Sequence, residues 1–222
     1  DIQNEVLSSE AVDTSEEIDP SKETMLLVED NAELRFFLRS IFGSSFQIIE
    51  AANGKEGLEK AQKYVPDMII SDVMMPEMDG IELTKELKEE MTTSHIPVVL
   101  LSAKSAIESK LQGLEYGADD YITKPFSATY LKARVDNLLA QRNKLQELYR
   151  ANLMEKPQEE SATQPELSPH DRRFMDKLME LMERNMDNGN LVVDDFVQEM
   201  AVSRSVFFKK LKMLTGLAPI EF

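Results

Sequence analysis

Residues 66–80 read PDMIISDVMMPEMDG, and this stretch decides the fold prediction. Its short apolar run, Met68–Ile70, lacks the polar–apolar alternation of a half-exposed strand and ends in Ser71 and Asp72. Such a run is typical of a parallel strand that helices cover on both faces. Asp72 would then follow the carboxyl end of the strand, which is where ligands bind in sheets of this class.

Four more apolar runs of similar length lie on either side of this one. They are Met25–Val28, Phe46–Glu50, Val98–Leu101 and Tyr121–Thr123. Between the runs, apolar residues recur at helical spacing over residues 32–41, 54–64, 81–91 and 106–116. Five strands alternating with helices predict an α/β domain, with a parallel sheet and helices on both faces, over about residues 23–140.

Polar side chains follow four of these five predicted strands. Glu29 and Asp30 follow the first, Asp72 the third, Ser102 the fourth and Lys124 the fifth. Three carboxylates at one edge of a sheet repel each other unless a cation neutralises them, and oxygen ligands of this type suit Mg²⁺. Phosphoryl transfer needs an acceptor oxygen, a metal ion and donors to the phosphoryl oxygens. The pattern therefore predicts Asp72 as the acceptor, with Lys124 and Ser102 as donors.

Each of these residues also has a purely structural interpretation. The pair Glu29 and Asp30 could cap the helix that begins at Asn31, and Ser102 could cap a helix of its own. Asp72 could be a turn residue, and Lys124 could be a solvated strand end. Their occurrence together at the strand ends favours one site.

Composition excludes several classes of function. The 222 residues contain no cysteine, so disulfides, zinc–thiolate sites and cysteine nucleophiles are excluded. No apolar run reaches the roughly 18 residues of a membrane span, which predicts no membrane contact. The net charge of −16 argues against nucleic-acid binding by the chain as a whole. Residues 201–222 differ, since they hold four basic residues and a single glutamate.

Four segments are predicted along the chain. Residues 1–22 form an acidic flexible tether, residues 23–150 the α/β domain with an extended last helix, and residues 151–168 a polar linker. Residues 169–222 form a small all-α segment, with helices over 169–186, 193–200 and 203–215. The extended helix has a heptad pattern, which fits either a homodimer seam or a solvated tail. Its positions are Leu131, Val135, Leu138, Arg142, Leu145 and Tyr149.

Four motifs in the α/β domain resemble the receiver domain of bacterial response regulators. They are LLVEDN (26–31), PDMIISDVMMPEMDG (66–80), HIPVVLLSAK (95–104) and GADDYITKPF (117–126). The resemblance implies a flavodoxin-like, doubly wound five-stranded parallel sheet in the order 2-1-3-4-5. It further implies that Asp72 accepts a phosphoryl group from the histidine of a kinase phosphodonor domain.

The same resemblance assigns the remaining site residues. Glu29, Asp30 and Asp72 would bind Mg²⁺ together with the backbone carbonyl of Met74. Ser102 and Tyr121 match the pair of switch residues that reorient on phosphorylation, and Lys124 precedes a proline that is cis in this family. Glu29 stands where many members have aspartate, a common substitution.

The end of the chain, SRSVFFKKLKMLTGLAPIEF (203–222), resembles the first half of an AraC-type DNA-binding domain. The resemblance implies a helix-turn-helix whose second helix enters the major groove, with Arg204, Ser205, Lys209 and Lys210 as contact candidates. Such domains carry two helix-turn-helix motifs, and this stretch supplies one, so we expect weak or no DNA binding from it alone. An ordinary helical hairpin with a solvated basic face is the alternative.

The combined layout resembles the C-terminal part of a hybrid two-component system. This implies a cytoplasmic receiver, a membrane-anchored or soluble parent chain that also carries the kinase, and an output that regulates transcription. No turnover enzyme is expected beyond self-phosphorylation and dephosphorylation. The alternatives are a phosphate sink or protein-interaction module without DNA binding, and an aspartyl-phosphate hydrolase. Such hydrolases place a second acid two residues after the nucleophile, where this chain has Met74.

Overall fold

The computed structural model describes residues 19, 22–103, 116–154, 167–185 and 192–217. Five strands form one sheet, and every neighbouring pair is parallel, in the order β2-β1-β3-β4-β5. The strands are β1 Thr24–Val28, β2 Gln47–Ala51, β3 Met68–Asp72, β4 Val98–Ala103 and β5 Asp120–Lys124. The flavodoxin-like α/β fold predicted from the sequence is confirmed.

Helices cover both faces of the sheet, which explains why the strands lack alternation. The helices α1 Ala32–Phe42, α2 Gly54–Tyr64 and α3 Gly80–Glu89 follow β1, β2 and β3, and α4 Ala128–Met154 follows β5. All five residues of β1 and all five of β3 are buried. Neighbouring strand residues point to opposite faces, so Leu26 joins the core under α2 and α3, whereas Leu27 joins the core under α1 and α4.

Side-chain caps define where three of these helices begin. The side-chain oxygens of Asn31, Asn53 and Asp79 accept hydrogen bonds from main-chain amides in the first turns of α1, α2 and α3. These starts lie within one residue of the predicted ones. The predicted helix over residues 106–116 falls almost entirely outside the described residues.

The long helix α4 ends later than predicted. It continues through Met154, four residues past the expected boundary at 150, so the predicted linker does not begin at residue 151. The rest of that linker, residues 155–166, and most of the predicted tether lie outside the described residues. In the described part of the chain, no helix is both long and apolar enough to cross a membrane.

Three further helices form the C-terminal segment, as predicted. They are α5 Pro169–Arg184, α6 Val193–Met200 and α7 Arg204–Thr215. A sharp turn joins α6 to α7, because Ala201 adopts a left-handed conformation (φ 55°) and the Ser203 side chain caps α7. The rings of Phe174 in α5 and Phe207 in α7 pack against each other, with their centroids 6.1 Å apart.

The C-terminal helices pack on the sheet domain instead of standing apart from it. One apolar cluster runs from Leu26 and Leu83 to Phe207 and Leu211. The long helix α4 adds polar contacts, because Gln146 donates a hydrogen bond to the main-chain oxygen of Met213 (2.5 Å). On the predicted heptad face, Leu131 and Val135 are buried in the core and Arg142 donates to the main-chain oxygen of His95. Part of that face is therefore used within the chain, and homodimer formation stays a prediction.

Close packing at Gly80 ties α3 to the carboxyl end of β3. A Cβ atom at this position would lie 2.1 Å from the main-chain oxygen of Asp72, closer than any real contact. We expect Gly80→Ala to lower the free energy of unfolding by about 1–3 kcal/mol, because overpacking forces the backbone to shift. Urea denaturation measures the change. The matched control is Glu86→Ala on the exposed face of the same helix, which we expect to have little effect.

Candidate functional site

The carboxyl ends of β1, β3 and β5 bring three charged side chains together. Val28 and Ser71 are paired in register, so Glu29 and Asp72 follow them on neighbouring strands. The Lys124 ammonium lies 3.0 Å from Oε2 of Glu29 and 2.9 Å from Oδ1 of Asp72. A single cation therefore bridges the two carboxylates.

A third carboxylate completes an acidic cluster at this edge. Glu29, Asp30 and Asp72 each offer one oxygen, and these oxygens lie within 4.8 Å of one another. Asp30 is exposed, whereas the other two residues are buried. Oxygen donors with one solvent-facing member fit Mg²⁺, which binds few carboxylates and keeps several waters.

Burial shifts the pKa of the Glu29 carboxyl. The residue is only 1% exposed, and its carboxylate accepts hydrogen bonds from the Asn31 amide and the Lys124 ammonium. Burial raises the pKa of this carboxyl, the hydrogen bond from Lys124 lowers it, and the negative charge of Asp72 raises it again. The net direction is upward, so the site disfavours charge on Glu29 when only Lys124 compensates it.

The two carboxylate oxygens of Asp72 have different surroundings. Oδ1 accepts a hydrogen bond from the Val73 amide (2.8 Å) and forms an ion pair with Lys124 (2.9 Å). Across the described ranges, no donor reaches Oδ2. The contacts to Oδ1 orient the carboxylate.

The other predicted site residues differ in their surroundings. Ser102 is buried, and its hydroxyl donates to the main-chain oxygen of Ala103 (3.3 Å) in its own strand, not to Asp72. Tyr121 is half-buried and pairs in register with Leu100. The Met74 side chain is 69% exposed. The peptide bond between Lys124 and Pro125 is cis.

Sequence reasoning missed two contributors to the site. The Val73 amide fixes Asp72, and the absence of a side chain at Gly80 lets α3 approach it. An amide leaves no signature in a sequence, because every residue except proline carries one. The glycine had a usable signal, since it directly follows Asp79, a helix-capping residue.

The four candidate DNA contacts divide into two pairs. Arg204 and Ser205 are exposed at the start of α7, and Arg204 lies 3.1 Å from Asp194. Lys209 instead donates to main-chain oxygens at the end of α2, and Lys210 is fully buried. The prediction that these two lysines contact DNA therefore requires this packing to open.

Comparisons with known proteins agree with this geometry. Residues 25–136 match the family model for the response regulator receiver domain. Histidine kinase P4 of Formosa agariphila is 40% identical over the whole of this chain, which spans only 16% of that protein.

Two solved structures are similar over the sheet domain. The first is a putative response regulator from Chloroflexus aurantiacus, with 36% identity and a TM-score of 0.51 over 54% of this chain and 98% of that one. The second is the receiver domain of a signal transduction histidine kinase from Syntrophus aciditrophicus, with 33% identity and a TM-score of 0.50 over 64% of this chain and 99% of that one.

The raised pKa of Glu29 predicts pH-dependent stability. A carboxyl whose pKa is higher in the folded chain than its ordinary value of 4.5 binds its proton more readily in the folded state. The folded chain therefore loses stability as the pH rises from about 4.5 through the folded pKa. We expect Glu29→Gln to increase the free energy of unfolding above this window, without divalent ions, because glutamine stays neutral. This gain in the free energy of unfolding should shrink below that pH window.

Urea denaturation between pH 4 and pH 8 measures this difference. The matched control is Glu59→Gln, an exposed change on α2 that should not shift stability across the same range. If Glu29→Gln changes the free energy of unfolding equally at every pH, the raised pKa of Glu29 is wrong.

Proposed function

Because the chain belongs to the response regulator receiver domain family, we propose that it is the phospho-acceptor of a two-component signalling protein, with Asp72 as the phosphorylated residue. The observation that carries the proposal is the asymmetry of the Asp72 carboxylate. Oδ1 is held by Lys124 and the Val73 amide, whereas Oδ2 has no donor among the described residues.

The transfer uses residues whose positions are known. Oδ2 of Asp72 forms the new bond to phosphorus, the bond from phosphorus to a histidine nitrogen breaks, and the imidazole keeps the electron pair and takes up a proton. Lys124 lies beside the acceptor and can pair with a phosphoryl oxygen as a point charge. Mg²⁺ bound by Glu29, Asp30, Asp72 and the Met74 carbonyl would neutralise charge that develops on the phosphoryl oxygens.

Ser102 and Tyr121 form the proposed switch. Phosphorylation adds about −1.5 to −2 charges and three acceptor oxygens at Asp72. The Ser102 hydroxyl can exchange its 3.3 Å contact with the Ala103 oxygen for a stronger bond to the phosphoryl group. Tyr121 then turns into the space that Ser102 leaves. This is a shift between two populated states.

We propose that the phosphodonor histidine belongs to a kinase in the same parent chain. The relative from Formosa agariphila is named a histidine kinase, and the whole of this chain aligns with 16% of that protein. A cytoplasmic location follows, because histidine kinases draw their phosphoryl group from ATP. The activity of the parent protein is part of this proposal.

The proposed output is transcription control by the C-terminal helices. Support comes from the sharp turn that joins α6 to α7 and from the exposed Arg204 and Ser205. A second candidate is an interaction module without DNA binding, and the burial of Lys210 favours it. DNA binding separates the two.

Asp72→Asn should abolish phosphorylation. We expect the unsubstituted 222-residue chain to incorporate acid-labile phosphate from acetyl phosphate in the presence of Mg²⁺. The variant should incorporate none, because an amide oxygen is a poor nucleophile. Intact-mass spectrometry before and after acid treatment measures the incorporation. The matched control is Asp136→Asn, which removes an exposed carboxylate on α4 and should label like the unsubstituted chain. Equal labelling of Asp72→Asn would show that another residue is the acceptor.

Arg204→Ala should weaken DNA binding by an extended chain that supplies a second helix-turn-helix after Phe222. If Arg204 contacts a phosphate, the salt dependence of binding should fall by about one unit of slope. Fluorescence anisotropy on labelled duplex DNA at several salt concentrations measures both quantities. Arg173→Ala, an exposed change on α5, is the control. If the extended chain does not bind duplex DNA, the transcription output is wrong and the interaction module remains.

A further inference from the structure

The peptide unit that joins Glu29 to Asp30 carries two of the three carboxylates of the acidic cluster. Strand β1 ends at Val28 and the chain bends at Asp30, so both residues have left the regular alternation of the strand. Their side chains leave the chain from the two ends of one planar unit, and a rotation of that unit changes the angle between them. The orientation of this peptide therefore decides whether both carboxylates converge on Asp72.

The main-chain oxygen of this peptide lies past the last hydrogen bond between β1 and β2. The Glu29 amide donates to the oxygen of Ala51 (3.1 Å), where β2 ends. The next amide, that of Ala52, donates to Oε2 of Glu56 (2.7 Å) and not to β1. Glu29 is only 1% exposed, so its main-chain oxygen needs a donor from another element.

Arg35 of α1 supplies this donor. Its Nη1 donates to the main-chain oxygen of Glu29 (2.5 Å), while its own amide donates to the oxygen of Asn31 (2.9 Å) in the first turn of the helix. A guanidinium is charged at every pH of interest, and a charged donor forms a stronger hydrogen bond than a neutral one. Arg35 thus ties the start of α1 to the peptide between two predicted metal ligands.

Glu50 of β2 holds the same guanidinium from its other side. Its Oε2 lies 3.6 Å from Nε of Arg35, and its Oε1 accepts a hydrogen bond from Arg39 (3.0 Å), one turn further along α1. The planar fork of an arginine can face two acceptors at once. Within the described part of the chain, both arginines pair with Glu50, but Arg35 contacts Glu29 and Arg39 does not.

We propose that Arg35 is a positioning residue of the acidic site, whose guanidinium fixes the peptide between Glu29 and Asp30 so that both carboxylates can bind one divalent cation. The inference rests on the proposed function, because it assumes that this cluster binds Mg²⁺. It adds a residue that orients the ligands without being one of them. A positive charge so close to the cluster opposes cation binding, so the contribution of Arg35 comes from geometry.

The sign of the effect on Mg²⁺ affinity separates geometry from charge. Arg35→Met removes the guanidinium and keeps a long apolar stem. Loss of the charge alone would tighten Mg²⁺ binding, because less positive charge would repel the ion. We expect instead a dissociation constant that is roughly tenfold larger, as for other residues that orient metal ligands. Isothermal titration calorimetry of the 222-residue chain with MgCl₂ measures it, and an unchanged or smaller constant overturns the proposal.

Two further variants control for the charge and for the shared carboxylate. Arg39→Met removes the same charge from the same helix and the same contact with Glu50, and we expect no weakening of Mg²⁺ binding. If it weakens binding as much as Arg35→Met does, the loss comes from Glu50 and the proposal is wrong. Arg35→Lys should recover part of the affinity, because an ammonium can still donate to the Glu29 oxygen, and no recovery would contradict the proposal.

Urea denaturation in EDTA separates positioning from a contribution to folding. A residue that only stabilises the fold lowers the free energy of unfolding and leaves the Mg²⁺ dissociation constant of the folded chain unchanged. If the unsubstituted chain does not bind Mg²⁺, both the metal site of the proposed function and the role of Arg35 are wrong. If it binds Mg²⁺ and Arg35→Met binds the ion equally well, the metal site stands and only the role of Arg35 is wrong.

The carbonyl carbon of Glu29 gives a direct spectroscopic signature without any metal ion. A hydrogen bond from a charged donor shifts the ¹³C resonance of a carbonyl downfield. We expect this resonance to move upfield in Arg35→Met and to stay in place in Arg39→Met, as measured by triple-resonance NMR of the labelled chain. An unchanged Glu29 resonance in Arg35→Met would show that the guanidinium does not hold this peptide, and would overturn the proposal.

Discussion

The contact of Lys124 with Glu29 and Asp72 is the interaction on which the functional edge of the sheet depends. Two carboxylates on neighbouring strands, with a third beside them, repel each other in a partly buried site. The ammonium offsets part of that repulsion and orients Oδ1 of Asp72. It does not remove the cost, because the pKa of Glu29 remains raised by burial. The remaining imbalance explains why a divalent cation suits this edge.

The parallel sheet makes this arrangement unavoidable. Strands that run in the same direction place their carboxyl ends at one edge, so residues that follow β1, β3 and β5 meet although they are far apart in the chain. The opposite edge collects the residues that precede the strands and the ends of the helices. There, main-chain oxygens of Tyr64, Val65 and Met91 accept hydrogen bonds from Lys209 and Lys210 of α7. The same topology thus produces an acidic side-chain site at one edge and a set of cation-binding main-chain oxygens at the other.

The C-terminal helices pack against the sheet domain at the edge opposite to Asp72. Their apolar residues continue the core on the side of the sheet that α2 and α3 cover, and Lys209 and Lys210 bind main-chain oxygens of Tyr64 and Met91. Strand β4 runs between the edges, with Ser102 near its carboxyl end and the Ser94–His95 segment before its start.

The sequence by itself determined the fold class, the strand order through the family resemblance, and the residues that form the acidic site. It could do so because short uninterrupted apolar runs and the polar residues directly after them are local features. It did not determine where Lys209 and Lys210 lie, because a lysine on an amphipathic helix looks the same whether it faces water, DNA or another domain. It also missed the Val73 amide and the length of α4. The Val73 amide acts on the adjacent Asp72, but every residue type except proline carries an amide, so the sequence gives no signal for it. Only the tertiary structure decided where the two lysines and the end of α4 lie, since these depend on contacts between residues distant in the chain, such as Lys210 with Ser94 and Gln146 with Met213.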